Sequence, residues 1–139
     1  MNGAATIEGY ASVFGERDEA GDRVVFGAFR RSLAARGARG IAMLWQHDPG
    51  APIGRWDVLA EDRWGLHVRG RLLTGLARGR EAAVLIAAGA LTGLSIGFRP
   101  RRAVRAAGTG ERILQDIDLW EISLVTFPQA DKARIRRIG

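Results

Sequence analysis

Cysteine is absent from the 139 residues. Its absence excludes a disulfide scaffold, a thiolate nucleophile and thiolate-ligated zinc, and it fits a reducing compartment. Histidine is scarce: His47 and His67 are the only two, so a histidine-rich metal site is not expected, and neither a metal nor a cofactor is called for. No apolar run approaches the length of a membrane span, and the N-terminus lacks the basic-then-apolar order of a secretory signal. A membrane partner is therefore not expected. Lysine is almost missing as well. Lys132 stands alone, so the net charge of +6 is carried by arginine. Those arginines are scattered along the chain instead of gathered on one element, which argues for a compositional bias and against nucleic acid as the partner.

What is present is globular. Hydrophobic residues make up 47% of the chain, enough for one domain, 1–139, with its own core. Residues 5–14 alternate loosely and predict a strand. "GAFRRSLAARG", 27–37, predicts a short helix between glycines. "IAMLWQH", 41–47, predicts a strand with Ile41, Met43, Trp45 and His47 on one face, broken by Asp48–Pro49–Gly50. Residues 53–60 and 63–73 predict a hairpin in which Leu66, Val68 and Leu72 face inward. Residues 75–89 predict a helix apolar nearly all round, and hence well buried. Residues 93–98 form a strand, the Arg-, Ala- and Gly-rich stretch 100–111 a mobile loop, and 111–128 a long strand or strand pair stopped by Pro128. The class is mainly β (α+β), a β-rich barrel or sandwich with helical cover.

Two segments carry candidate chemistry. In "GLSIGF", 93–98, one face is Leu94, Ile96 and Phe98, and the other is Gly93, Ser95 and Gly97. Glycine inside a strand marks close approach of another chain or a ligand. Either this face packs tightly against a neighbour, or it is kept open so that something reaches Ser95. A serine nucleophile needs a base. His47, at a strand end beside a break, is the better candidate; His67 sits among arginines, whose charge disfavours its imidazolium. The imidazole needs an acceptor in turn. Asp48 points to the opposite face from His47. Glu121 lies among Leu119, Ser123 and Val125 and needs a hydrogen-bond partner if buried. Asp116 and Asp118 stay open as alternatives. Each residue also has a purely structural reading: a packing serine, a solvated histidine, a paired carboxylate.

Taken in order, "GYASVFG…DEAGDRVVFGAF", "MLWQHDPGAPIGRW", "GLHVRGRL", "GALTGLSIGFRP" and "DLWEISLVTFPQADKARI" resemble the prohead, or capsid-maturation, serine proteases of tailed phages. The resemblance implies a fold similar to the herpesvirus assemblins, a β-barrel surrounded by helices. It implies a serine endopeptidase acting inside an assembling procapsid in the host cytoplasm. The substrate would be scaffold or the scaffold-like segment of the major capsid protein. Ser95 matches the family nucleophile and His47 its base. No histidine follows Ser95 to serve as the assemblin-type third member, so the role falls to Glu121.

Further expectations follow from the resemblance. Oxyanion donors would come from Arg99–Arg105 or from the turn after Pro128. Family members often carry extensions, and their absence here argues against self-processing of long tails. A compact member suits a prophage or a gene transfer agent as well as a phage. A homodimer is also implied, since assemblins pair through a helix and the strand around Trp120, Ile122 and Leu124 offers a second apolar face. The alternative is a non-catalytic assembly module of the same fold that binds capsid protein without cutting it.

Overall fold

The computed structural model describes residues 3–139; Met1 and Asn2, the first two positions of the expected domain, lie outside them. Among the described residues, eight strands form one curled, half-barrel sheet: β1 (Ala4–Val13), β2 (Asp22–Val24), β3 (Ala42–Trp45), β4 (Asp48–Glu61), β5 (Gly65–Leu73), β6 (Gly93–Arg105), β7 (Arg112–Val125) and β8 (Ile135–Ile138). Their order is β2-β7-β3-β4-β5-β1-β8, with β6 paired to β7. Two helices cover it, α1 (Arg30–Arg36) and α2 (Ala77–Ala87). The concave side is filled by Ile7, Phe29, Ile41, Met43, Ile53, Trp56, Leu66, Leu72, Leu94 and Leu119, all essentially buried. In β5 the expected alternation holds, with Leu66, Val68 and Leu72 inside and Arg69 outside.

β7 positions the site, because it pairs along both edges. β6 runs antiparallel to it from Gly93↔Val125 to Arg105↔Arg112. On the other edge β2 pairs in parallel at Arg112–Leu114 and β3 in parallel at Glu121–Leu124. Between those two strands the backbone groups of β7 are satisfied by the segment leading into α1 and by α1 itself. Ile117 N–H donates to the Ala28 carbonyl (3.0 Å), the buried Ser32 hydroxyl donates to the Ile117 carbonyl (2.6 Å), and Leu119 N–H donates to Ser32 Oγ (2.9 Å). A buried strand edge needs such partners, and they carry β7 up to Trp120, where the pairing with β6 shifts register just before Glu121.

Five expectations are corrected. Residues 100–111 are not a loop: β6 runs to Arg105, turns through the positive-φ glycines Gly108 and Gly110, and returns as β7. Polar pairs across the ladder hold it there: an ion pair with Arg101 3.1 Å from Asp118, and a hydrogen bond from Arg102 Nε to Gln115 Oε1 at 3.2 Å. Asp48–Gly50 does not end a strand. Trp45 pairs with Asp48 and Leu44 with Pro52, so the intervening residues bulge from a continuing β4. β3 ends at Trp45, and His47 does not share a face with Ile41 and Met43.

Helix α2 is docked on one side only. It buries Gly79, Ala82 and Ile86 and leaves Val84 63% exposed. Gly79 sits so close to the Leu73 carbonyl that a methyl there would overlap it. That close approach orients one narrow face inward and turns the remaining apolar residues out. Finally, Ile122 and Leu124 are fully buried within the monomer and only Trp120 is exposed, so this stretch of β7 offers no second apolar face to a partner.

Candidate active site

Ser95 and Ser123 lie directly opposite each other on β6 and β7, and Gly97 lies opposite Glu121. With a side-chain period of two, these four residues share one face of the sheet, while Leu94, Ile122 and Leu124 on the other face enter the core. The small residues of "GLSIGF" are there to admit neighbouring groups of the same chain. A Cβ on Gly97 would fall on the Glu121 carboxylate, and one on Gly93 would meet the Val125 carbonyl and the Pro128 ring. At Gly93 and Gly97 this face packs closely against neighbouring groups of the same chain. Gly97 leaves room for a carboxylate that lies flat across β6.

His47 reaches this face from the β3–β4 turn. Gln46 (φ 51°) and His47 (φ 61°) are the positive-φ non-glycine residues among those described. Two successive left-handed residues are what a two-residue I′ hairpin turn requires, usually of Asn–Gly. For residues with side chains the conformation costs roughly 1–2 kcal/mol each, so it persists only where the surroundings enforce it. Gln46 N–H donates to the Leu124 carbonyl (2.9 Å) and His47 N–H to Ser123 Oγ (3.1 Å).

The turn places the imidazole between the serine and the carboxylate. His47 Nε2 is 2.9 Å from Ser95 Oγ, and Nδ1 is 2.5 Å from Glu121 Oε2. An ionised carboxylate only accepts, which assigns the proton to Nδ1 and leaves Nε2 to receive the serine proton. The Ser123 hydroxyl donates to Glu121 Oε1 at 2.6 Å. Ser123 thus ties the backbone of His47 and the carboxylate of Glu121 together. Glu121 and Ser95 are 5% and 7% exposed, whereas the His47 side chain is 42% exposed. The hydrogen bond to Glu121 raises the His47 pKa above its ordinary 6.5. Burial opposes this in part, and the Glu121 charge adds to it. A hydroxyl bonded to an imidazole that is itself bonded to a buried carboxylate can pass a proton from oxygen to nitrogen while the resulting cation stays neutralised.

The other candidates lie elsewhere. His67 Nε2 is 2.7 Å from Glu8, and its ring meets Tyr10 edge-on. Asp118 pairs with Arg36 (2.8 Å) and Arg101, and Asp116 with Arg31 (3.4 Å). Asp48 accepts from the N–H of Gly50. Of the two segments expected near the serine, Arg99–Arg105 is committed to the β6–β7 ladder. The segment after Pro128 runs beside Leu94, whose N–H donates to the Ala133 carbonyl (2.9 Å). The sequence reading gave no role to Ser123 or Gln46. The signal for Ser123 was its spacing, two residues beyond Glu121 on the same strand face.

The profile described as Caudovirus prohead serine protease matches residues 1–138. The prohead protease of Enterobacteria phage HK97 is 39% identical over 131 residues, which cover 93% of this chain and 58% of the phage protein. The prohead protease of Escherichia phage T5 is 30% identical over 129 residues, covering 91% and 59%. This chain therefore spans somewhat under two thirds of the length of either relative. Among solved structures, KSHV protease in complex with a hexapeptide phosphonate inhibitor superposes with a TM-score of 0.64 over 98% of this chain and 65% of that one, at 12% identity. Varicella-zoster virus protease gives 0.60 over 98% and 64%, also at 12%. At that identity the likeness is one of fold.

Proposed function

Because this chain belongs to the Caudovirus prohead serine protease family, we propose that it is a serine endopeptidase with Ser95 as nucleophile, His47 as base and Glu121 as the orienting carboxylate. The observation that carries the reading is the unbroken hydrogen-bond chain from Ser95 Oγ through both imidazole nitrogens to Glu121. Ser95 Oγ attacks the scissile carbonyl as Nε2 takes its proton. The imidazolium is held by Glu121 and then protonates the leaving amine. Water attacks the acyl-enzyme by the same route in reverse. Backbone N–H groups of the segment after Pro128 are the donors proposed for the oxyanion.

The substrate we propose is scaffold, or the scaffold-like segment of the major capsid protein, cut inside the procapsid within the host cell. Co-expression with the neighbouring capsid gene product tests this. The capsid protein should be shortened by the active chain and stay full length beside a Ser95→Ala chain. An uncut capsid protein, or equal cutting by both chains, would refute the reading. No helix among the described residues is long and apolar enough to cross a membrane. A homodimer would form through the outward face of α2, where Val84 and Leu85 are exposed beside the half-buried Trp45. Sedimentation across a dilution series should show dissociation with falling specific activity; a monomer of constant activity would exclude it.

The raised His47 pKa sets the pH dependence, since the base works as neutral imidazole. Cleavage should rise with pH through a midpoint above 6.5. Stability runs the other way. The contribution of the imidazolium–Glu121 pair is full below about 6.5, the unfolded value, and is lost as pH climbs past the folded value. A pH–rate profile beside a pH series of thermal midpoints checks both signs. His67→Gln should leave the rate profile where it is, because His67 pairs with Glu8 on a different part of the sheet.

A further inference from the structure

The parallel β3–β7 ladder ends at Trp45↔Leu124, where the backbone of Gln46 leaves the sheet to turn back as β4. The side chain of Gln46 does not leave. Its Nε2 donates to Thr126 Oγ1 (2.9 Å), and its Oε1 accepts from the N–H of Thr126 (3.3 Å). We infer that Gln46 is a positioning residue: its carboxamide stands in for the missing strand residue opposite Thr126 and so fixes the turn that presents His47. The inference rests on the protease reading above for its consequence in rate, but not for its geometry.

Three anchors act on the two strained residues: Gln46 N–H on Leu124, the Gln46 carboxamide on Thr126, and His47 N–H on Ser123. The first and third are backbone donors that any residue supplies. The second is specific to the side chain and grips the exposed end of the turn. Without it the turn is held from one side only, and the imidazole is free to tilt about its hydrogen bond to Glu121. Asparagine, one methylene shorter, would not span to both groups of Thr126. Gln46 touches neither Ser95 nor Glu121, so it acts through His47.

Gln46→Gly separates positioning from strain. Glycine adopts positive φ freely, so this variant relieves the backbone while removing the grip. In a His67→Gln background His47 is the only histidine, and its ring protons can be followed by NMR without any substrate. Activation of Ser95 is read in parallel as the rate of labelling by a fluorophosphonate, in which Ser95 Oγ bonds to phosphorus, fluoride leaves and His47 takes the proton. Gln46→Gly should keep the thermal midpoint or raise it, label at least ten-fold more slowly, and show His47 titrating nearer 6.5 as its bond to Glu121 loosens. Thr126→Ser, which keeps both bonding groups, should match the parent, and Thr126→Val should lose part of the rate. Parent-like labelling and titration in Gln46→Gly would overturn the inference, as would a Thr126→Val chain indistinguishable from Thr126→Ser should the glycine variant fail to fold. If the parent itself is not labelled, the protease reading falls, and the His47 titration alone decides the role of Gln46.

Discussion

Ser95→Ala is expected to lower cleavage by on the order of a million-fold, the loss seen when the nucleophile of a working serine–histidine unit is removed. The fold should survive. The side chain fills little space between Gly93 and Gly97, and the substitution deletes one hydrogen bond, to a half-exposed imidazole, which costs about 1 kcal/mol. The comparison to make is therefore capsid-protein trimming against thermal midpoint in the same preparation. Normal trimming by the alanine variant would place the nucleophile elsewhere. Loss of trimming together with collapse of the midpoint would show that the face needs the hydroxyl for packing.

Glu121→Gln should cost about ten-thousand-fold in cleavage rate with little change in thermal midpoint, the size of effect expected when an imidazole is held in the wrong tautomer. The reason lies in Ser123. Its hydroxyl donates to one oxygen of Glu121, so the oxygen of a glutamine amide is drawn to that position. The NH2 then faces His47 Nδ1. A donor there requires Nδ1 to be bare and Nε2 to carry the proton, and Nε2–H cannot accept from Ser95. The residual activity should also titrate lower than in the parent, because the carboxylate that raises the imidazole pKa is gone. Normal cleavage by Glu121→Gln, with loss in an Asp116 or Asp118 variant, would transfer the role to an aspartate now seen paired to arginines.

Much of the architecture was legible because the strands announce themselves. β1 and β5 show burial alternation that the side chains declare, and "EISLVTFP" put a carboxylate and a hydroxyl two residues apart on one face. The parts that were not legible depend on distant residues. Nothing in "WQHDP" announces a tight hairpin turn, since it lacks the Asn–Gly or Asp–Gly pair that such turns usually carry; the turn is enforced from β7. Gly97 reads as an opening for a substrate only while Glu121, which crosses it, is out of view. The Arg-rich stretch 100–111 read as mobile because its ordering comes from Asp116 and Asp118 across the hairpin. In α2, composition gave the apolar residues but not which side docks, and that is set by the approach of Gly79 to a carbonyl of the strand before it.

The central place of β7 bears on how the chain acquires its reactivity. Serine and carboxylate sit on the two arms of a single hairpin, β6–β7, and can be brought level by local pairing. The imidazole must come from 48 residues before the serine and 74 before the carboxylate, through a parallel pairing of β3 with β7. Closing loops of that length is entropically costly and is late in the folding of β-rich domains. On the proposed assignment of Ser95, His47 and Glu121, a partly folded copy would hold the nucleophile and the orienting carboxylate without the base that couples them. Such a copy would not cut the chains around it, and competence to cut would arrive together with the finished sheet.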